Sequence, residues 1–156
     1  MKTRVPFLMH VPVPWVFVLT YLLGLALESV RPIPRFPMMA LVSAITGGVV
    51  FVAGAVIAGW GLVIFHKAHT TTVPGQSSVR LVTWGPYRFT RNPMYLGLVL
   101  AYLGEAALLK QLWPVLVLPF TLVYLNWTVI PVEEAKLEEV FQVAYRQYRL
   151  RVRRWI

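Results

Sequence analysis

The sequence predicts an all-α, polytopic membrane protein, with about four transmembrane helices followed by an amphipathic cytoplasmic helix at the C-terminal end. Three observations lead there. Hydrophobic residues make up 58% of the 156-residue chain and charged residues 13%, with a mean hydropathy of +0.64. That is more apolar side chain than a soluble domain of this size hides from water. The apolar residues fall into long runs separated by short breaks carrying proline and charge. The net charge of +9 is gathered into some of those breaks and not others. That distribution fits a membrane protein with Lys- and Arg-rich cytoplasmic loops, and it displaces nucleic-acid binding, the other partner so basic a chain suggests. The whole of 1–156 reads as one domain: two N-terminal spans over 1–69, then a loop, a helical hairpin and a C-terminal helix over 70–156.

Val13 to Val30 is the first span, bounded by Pro12, Pro14 and Arg31-Pro32. Met1-Lys2-Thr3-Arg4 ahead of an apolar run resembles the start of a signal peptide, but no small-residue cleavage site follows, so the segment is expected to remain as a span. Glu28 lies three residues before Arg31, a spacing at which the two charges can face each other at the interface. Arg31 to Pro37 is a loop with three prolines, and Met38 to Phe65 is the second span. Gly47-Gly48, Gly54 and Gly59-Trp60-Gly61 lie within it as a packing face, because small residues let helices approach closely in lipid. A homodimer through this face is compatible with the sequence, which does not decide the oligomeric state.

His66 and His69 end the second span. With His10 as the one other histidine and no aspartate or cysteine in the chain, no metal shell is expected. Thr70 to Arg80 is polar and without periodicity. Met94 to Leu109 and Leu112 to Ile130 are two shorter apolar runs divided by Lys110-Gln111, predicting a tight helical hairpin, with Glu105 facing its turn. Pro131 predicts a kink or boundary. Beyond it, Leu137, Val140, Phe141, Ala144, Tyr145 and Tyr148 recur at offsets of three and four, one stripe of an amphipathic helix on the membrane face. Its glutamates come early and Arg146, Arg149, Arg151, Arg153 and Arg154 come late, as the helix dipole favours.

Four spans put the N-terminus, the 66–93 segment and the C-terminal tail on one side, and these hold twelve of the fifteen Lys and Arg residues. The positive-inside rule makes that side cytoplasmic, both termini included. There the most polar and turn-rich stretch of the chain, Leu81 to Gly97, meets the C-terminal helix. Gly85-Pro86 and Asn92-Pro93 supply its turns. The chemistry it allows is narrowed by what the chain lacks. No Ser–His–Asp set, cysteine nucleophile, Walker loop or dinucleotide fingerprint is present. What remains is an aromatic, arginine-bearing loop beside Glu133-Glu134, suited to a ligand with a cation, an anionic end and a flat ring. Tyrosine faces attract cations, glutamate takes ammonium or hydroxyl groups, and arginine forks carboxylates. An aromatic belt at the membrane interface uses the same residue types structurally.

Leu81-Val82-Thr83, Gly85-Pro86-Tyr87-Arg88, Arg91-Asn92-Pro93-Met94-Tyr95-Leu96-Gly97, then Glu133-Glu134-Ala135-Lys136-Leu137, Phe141 and Tyr145 with Tyr148 resemble the isoprenylcysteine carboxyl methyltransferase family. That family belongs with the small integral-membrane methyltransferases that include phospholipid N-methyltransferases. The resemblance covers about the C-terminal half, from Leu81 to Ile156. It implies an enzyme of membrane helices that uses S-adenosylmethionine, held by Leu81, Val82, Tyr87, Asn92, Pro93, Met94, Tyr95 and Glu133. Asn92 stands where the family has histidine; an amide still donates and accepts hydrogen bonds but is no base near neutral pH. Val129 stands where eukaryotic members have a substrate-contacting arginine, so prenylcysteine specificity is not carried over. Arg91 and Glu134 are the candidate catalytic residues, orienting cofactor or acceptor, with a headgroup anchor and a first-turn helix charge as their plain alternatives. The expected reaction is methyl transfer to a lipid-like or amphipathic acceptor that enters sideways between spans. A phospholipid N-methyltransferase and a non-catalytic membrane accessory protein on the same scaffold are the alternatives.

Overall fold

A computed structural model describes residues 12–33, 40–68 and 80–156. The expectations for the N-terminal residues, the 34–39 loop, His10, His69 and the polar segment to Val79 lie outside the described residues. Among the described residues every regular element is helical. Helix α1 spans Val13–Val30, with Pro14 in its first turn, where the missing N–H costs nothing. It stops at Arg31, whose N–H still reaches the Leu27 carbonyl at 2.8 Å; Pro32 bars a further turn. Helix α2 spans Ala40–Lys67, α3 Pro93–Leu108 and α4 Leu112–Tyr124. A π-helical turn over Leu125–Val129 joins α4 directly to α5, Ile130–Arg151. The outer faces are apolar: Leu19, Leu22, Val49, Val52, Val56 and Phe120 are all exposed, which fits lipid as the solvent.

The helices pack in two pairs. Helix α3 lies on α2 through small residues. A Cβ built on Gly54 would stand 2.3 Å from the Ala101 backbone nitrogen, and one on Gly104 2.3 Å from that of Phe51. Only glycine lets the two backbones meet this closely. The glycine face therefore does pack, through Gly47, Gly54 and Gly61, whereas a Cβ on Gly59 would meet nothing within 4 Å. Helix α1 lies on α4, tied by a Thr121–Thr20 hydroxyl bond of 2.8 Å. The polar bond adds hold where lipid removes the hydrophobic preference for helix contact. Phe17, Tyr21 and Tyr102 form a ring cluster between the pairs, and the Tyr102 hydroxyl donates to the Pro114 carbonyl at 2.9 Å.

Two expectations, for the hairpin and for the stripe, need correction. The turn at Lys110-Gln111 is tight, with Lys110 at φ 56°, but the hairpin's legs splay, because α3 is drawn to α2 by glycine contacts and α4 to α1. Pro131 does mark a boundary, with α5 beginning at Ile130, but the helical path continues through it. The preceding π turn shifts the register of the helical bonds, so a proline in the first turn of α5 interrupts no ladder. The break falls instead at Gln142, with φ 44° and ψ −113°. This break rotates the second half of α5 relative to the first, so the expected stripe is not one buried face. Tyr145 and Tyr148 are buried, Leu137 and Phe141 partly so, and Val140 and Ala144 are exposed.

The joined helix from Leu112 to Arg151 has 40 residues, about 60 Å of contour against a hydrocarbon layer of about 30 Å. Its charged part, from Glu133 on, therefore projects from the bilayer. Helices α1, α2 and this joined helix are long and apolar enough to cross a membrane, and α3 is a shorter apolar helix. The protein is an all-α polytopic membrane protein.

Candidate active site

The Leu81–Gly97 stretch is held over the end of α2. Gly85 opens a short 3-10 turn at φ +63°, and a Cβ there would collide with the Ile64 side chain. The turn buries Tyr87, whose ring packs on Phe65 with centroids 5.2 Å apart. Val82 joins Ile64, Ala68 and Tyr87 in a small buried cluster, and Leu81 is partly exposed beside it. Pro93 begins α3 and is buried, Asn92 takes the N-cap position, and Met94 packs against Gly61 of α2. From the other direction α5 brings Tyr145, Tyr148 and the two glutamates. The Tyr148 hydroxyl donates to the Tyr87 carbonyl at 2.8 Å, joining polar pieces 61 residues apart.

Two linked constellations result. In one, the Tyr95 hydroxyl donates to Glu133 Oε1 at 2.6 Å. The buried Tyr87 hydroxyl lies near enough for its charge state to feel Glu133, and it meets no hydrogen-bond partner. Burial pushes the Glu133 carboxyl up to about 7; the Tyr95 hydrogen bond pulls it down, and neighbouring Glu134 pushes it up. Burial likewise raises the Tyr87 hydroxyl, which stays protonated at neutral pH. In the other constellation Glu134 lies between two guanidinium groups. Arg91 Nη1 stands 3.0 Å from Oε1, and Arg154 forks both oxygens at 3.1 and 2.6 Å. Arg91 also donates to the Tyr145 hydroxyl at 3.3 Å, leaving its buried Nε without a partner. The hydrogen bond to Glu134 raises the Arg154 pKa further.

Of the candidates named from the sequence, Tyr87, Arg91 and Tyr95 meet α5 with Glu133 and Glu134, whereas Val82 and Met94 pack against α2. Tyr95 with Glu133, and Arg91 with Glu134, are in direct contact. The Asn92 amide is engaged elsewhere: its Nδ2 donates to the Arg154 carbonyl at 2.9 Å. Sequence reasoning missed Asn126 and Trp155 and assigned Arg154 only to the helix dipole. Helix α5 ends at Arg151, so Arg153 and Arg154 lie beyond it. The one available signal was a pair of arginines outlasting the helical stripe. Among the described residues no group of three His, Cys, Asp or Glu side chains is placed to hold a metal.

Between the splayed α3 and α4 lies an apolar groove of about 420 Å³, lined by Leu96, Val99, Leu122, Val123 and Trp127. Its polar end is Asn126, whose Oδ1 accepts from Arg154 at 3.1 Å and from the Trp155 indole at 3.4 Å.

No curated protein and no solved structure matches the chain. The phospholipid methyltransferase family model matches residues 42–144, about two thirds of the sequence. The matched stretch takes in the α2–α3 glycine contact, Tyr87, Arg91, Tyr95, Glu133 and Glu134, and it ends before Tyr145 and Arg154. With both halves of the site inside that match, the chain belongs to the phospholipid methyltransferase family, a group of membrane methyltransferases.

Proposed function

We propose that the protein is an S-adenosylmethionine-dependent methyltransferase whose site lies at the cytoplasmic membrane face and whose acceptor is lipid-like. The observation that carries this reading is the 2.6 Å bond between Tyr95, in the first turn of α3, and Glu133, 38 residues on in α5. It joins the two motifs of the isoprenylcysteine carboxyl methyltransferase type by a direct polar contact. The groups present fit the cofactor: a partly buried carboxylate for its ammonium or ribose hydroxyls, and a buried tyrosine hydroxyl and an arginine Nε that lack partners. Bound there, S-adenosylmethionine supplies a methyl group already activated by its sulfonium. Glu133 and Tyr87 hold and orient it, and the surrounding buried rings exclude water. Arg91 and Glu134 orient the polar end of the acceptor. The groove between α3 and α4 gives the acceptor's hydrocarbon chain a lateral path, ending at Asn126 beside Arg154.

Isothermal titration of the purified protein with S-adenosylmethionine is expected to show one saturable site; its absence would leave the accessory role. Radiolabelled methyl transfer in a membrane extract then identifies the product class. A carboxyl ester loses its label in mild base, as the motif resemblance predicts. Base-stable label would mark an N-methylated phospholipid, the second reading, which the family match favours.

The pH dependence follows from Glu133. Ionised Glu133 is the form that holds a cation, so cofactor affinity is expected to rise with pH between about 5.5 and 7, by up to about tenfold per unit. Glu133→Gln is expected to flatten that rise. Stability has the opposite sign. Between 4.5 and about 7 the folded protein keeps a proton that the unfolded chain has released, so this group's contribution falls as pH rises through that window.

A further inference from the structure

We infer that residues 152–156, which follow the residues matched by the family model, form a strap that sets the geometry of the site, with Arg154 as its positioning residue. The inference rests on reading Tyr95 and Glu133 as cofactor-binding groups.

Helix α5 ends at Arg151 and Val152 turns extended, at φ −125° and ψ 128°. The chain then runs back across the loop with its carbonyls free to accept. The Arg153 carbonyl takes the Arg91 N–H at 3.0 Å. The Arg154 carbonyl takes both the Thr90 hydroxyl, at 3.0 Å, and the Asn92 amide, at 2.9 Å. Thr90 is buried and polar, so the strap also satisfies a group that otherwise costs free energy. The Arg154 side chain points the other way. Its fork on Glu134 and its bonds to the Asn126 carbonyl and Oδ1, at 3.3 and 3.1 Å, bind α5 to the π turn. A π turn leaves helical carbonyls short of their usual partners, and Asn126 lies in it.

The strap therefore grips both halves of the Tyr95–Glu133 pair, each within three residues. Asn92 is the N-cap of the helix whose first turn carries Tyr95, and Glu134 directly follows Glu133. A shift of Arg154 moves both ends of a 2.6 Å bond, whereas a tail that merely covered the surface would move neither. Trp155 extends the same contact to the lateral groove, so cofactor side and acceptor side share one fastening.

The test compares Arg154→Gln and Arg154→Lys with the unaltered full chain in lipid nanodiscs, by S-adenosylmethionine titration and by hydrogen exchange. Loss of a charged fork predicts roughly a tenfold or greater rise in the cofactor Kd for Arg154→Gln. Lysine is expected to restore only part of it, since one ammonium cannot span Glu134 and Asn126 together. Exchange is expected to quicken in 88–96 and 130–138 and to stay unchanged in 47–58, the α2 glycine contact. Wild-type affinity in Arg154→Gln, or exchange that quickens equally in 47–58, overturns the strap. Should Arg154→Gln not fold, Asn92→Ala removes one strap bond and keeps the ion pairs. It is expected to loosen 88–96 alone, and unchanged exchange there also overturns the inference. Failure of the unaltered protein to bind S-adenosylmethionine removes the functional reading, and the exchange comparison then decides the strap by itself.

Discussion

Gly54→Val is expected to be the most destabilising single substitution in the described membrane-spanning part. A Cβ at Gly54 would stand 2.3 Å from the Ala101 nitrogen, 2.6 Å from the Gly97 carbonyl oxygen and 2.9 Å from the Leu100 carbonyl carbon. All three are backbone atoms in a regular helix, so no rotamer change relieves the overlap, and α3 has to move away as a body. Overpacking of flexible side chains costs about 1–3 kcal/mol, and a backbone clash belongs at or above the top of that range. In lipid the loss is not offset by hydrophobic contact elsewhere, because close van der Waals packing is what holds the pair. Gly59→Val is the control. It sits on the same helix, where an added Cβ meets nothing within 4 Å, and its stability is expected to change by no more than about 0.5 kcal/mol. Thermal unfolding of the two variants in the same detergent checks the contrast; equal melting temperatures would remove the glycine contact as the basis of the α2–α3 pairing. Because α3 carries Tyr95 in its first turn, Gly54→Val is also expected to abolish the proposed cofactor binding.

The largest effect on function without unfolding is expected at the Tyr95–Glu133 pair. Glu133→Gln keeps the shape and removes the charge proposed to hold the cofactor's cation, and it is expected to lower kcat/KM about a hundredfold or more. Tyr95→Phe removes a charge-assisted bond, an interaction of about 1.5–3 kcal/mol, which predicts a loss of about tenfold to a hundredfold at neutral pH. The two variants differ in their pH profiles. The Tyr95 hydrogen bond lowers the Glu133 pKa, so without it the carboxyl titrates higher, and Tyr95→Phe is expected to regain activity as pH rises above 7. Glu133→Gln is expected to regain none. A double variant costing no more than Glu133→Gln alone shows that the two act as a unit. Strict additivity would mean that the 2.6 Å contact plays no part in binding or turnover.

How far the sequence reached differs by element. The span of α1 was legible to the residue, since Pro14 and Arg31-Pro32 bracket an unbroken apolar run. The start of α3 was legible from Asn92-Pro93. Pro131 marked the start of α5, but not the π turn at Leu125–Val129 that carries the helix through it, because a proline's effect depends on which carbonyl lies beneath it. The break at Gln142 carries no Gly or Pro signal, so the stripe from Leu137 to Tyr148 looked continuous. Arg154 was misassigned for a similar reason. Its worth comes from Glu134 and Asn126, which lie 20 and 28 residues away, and no local pattern encodes such a contact.

The sequence by itself determined the solvent, the helices and the two motifs, because composition, apolar run length and proline placement act locally and need no partner. It also marked Glu133, Glu134, Arg91 and Tyr95 as the residues with chemistry to offer. Only the tertiary structure decided how they pair. The small-residue fit of α2 to α3, the threonine tie of α4 to α1 and the register shift of the π turn set where the two polar pieces meet. These are distances between backbones far apart in the chain, and they arise from packing, which no single stretch of residues contains.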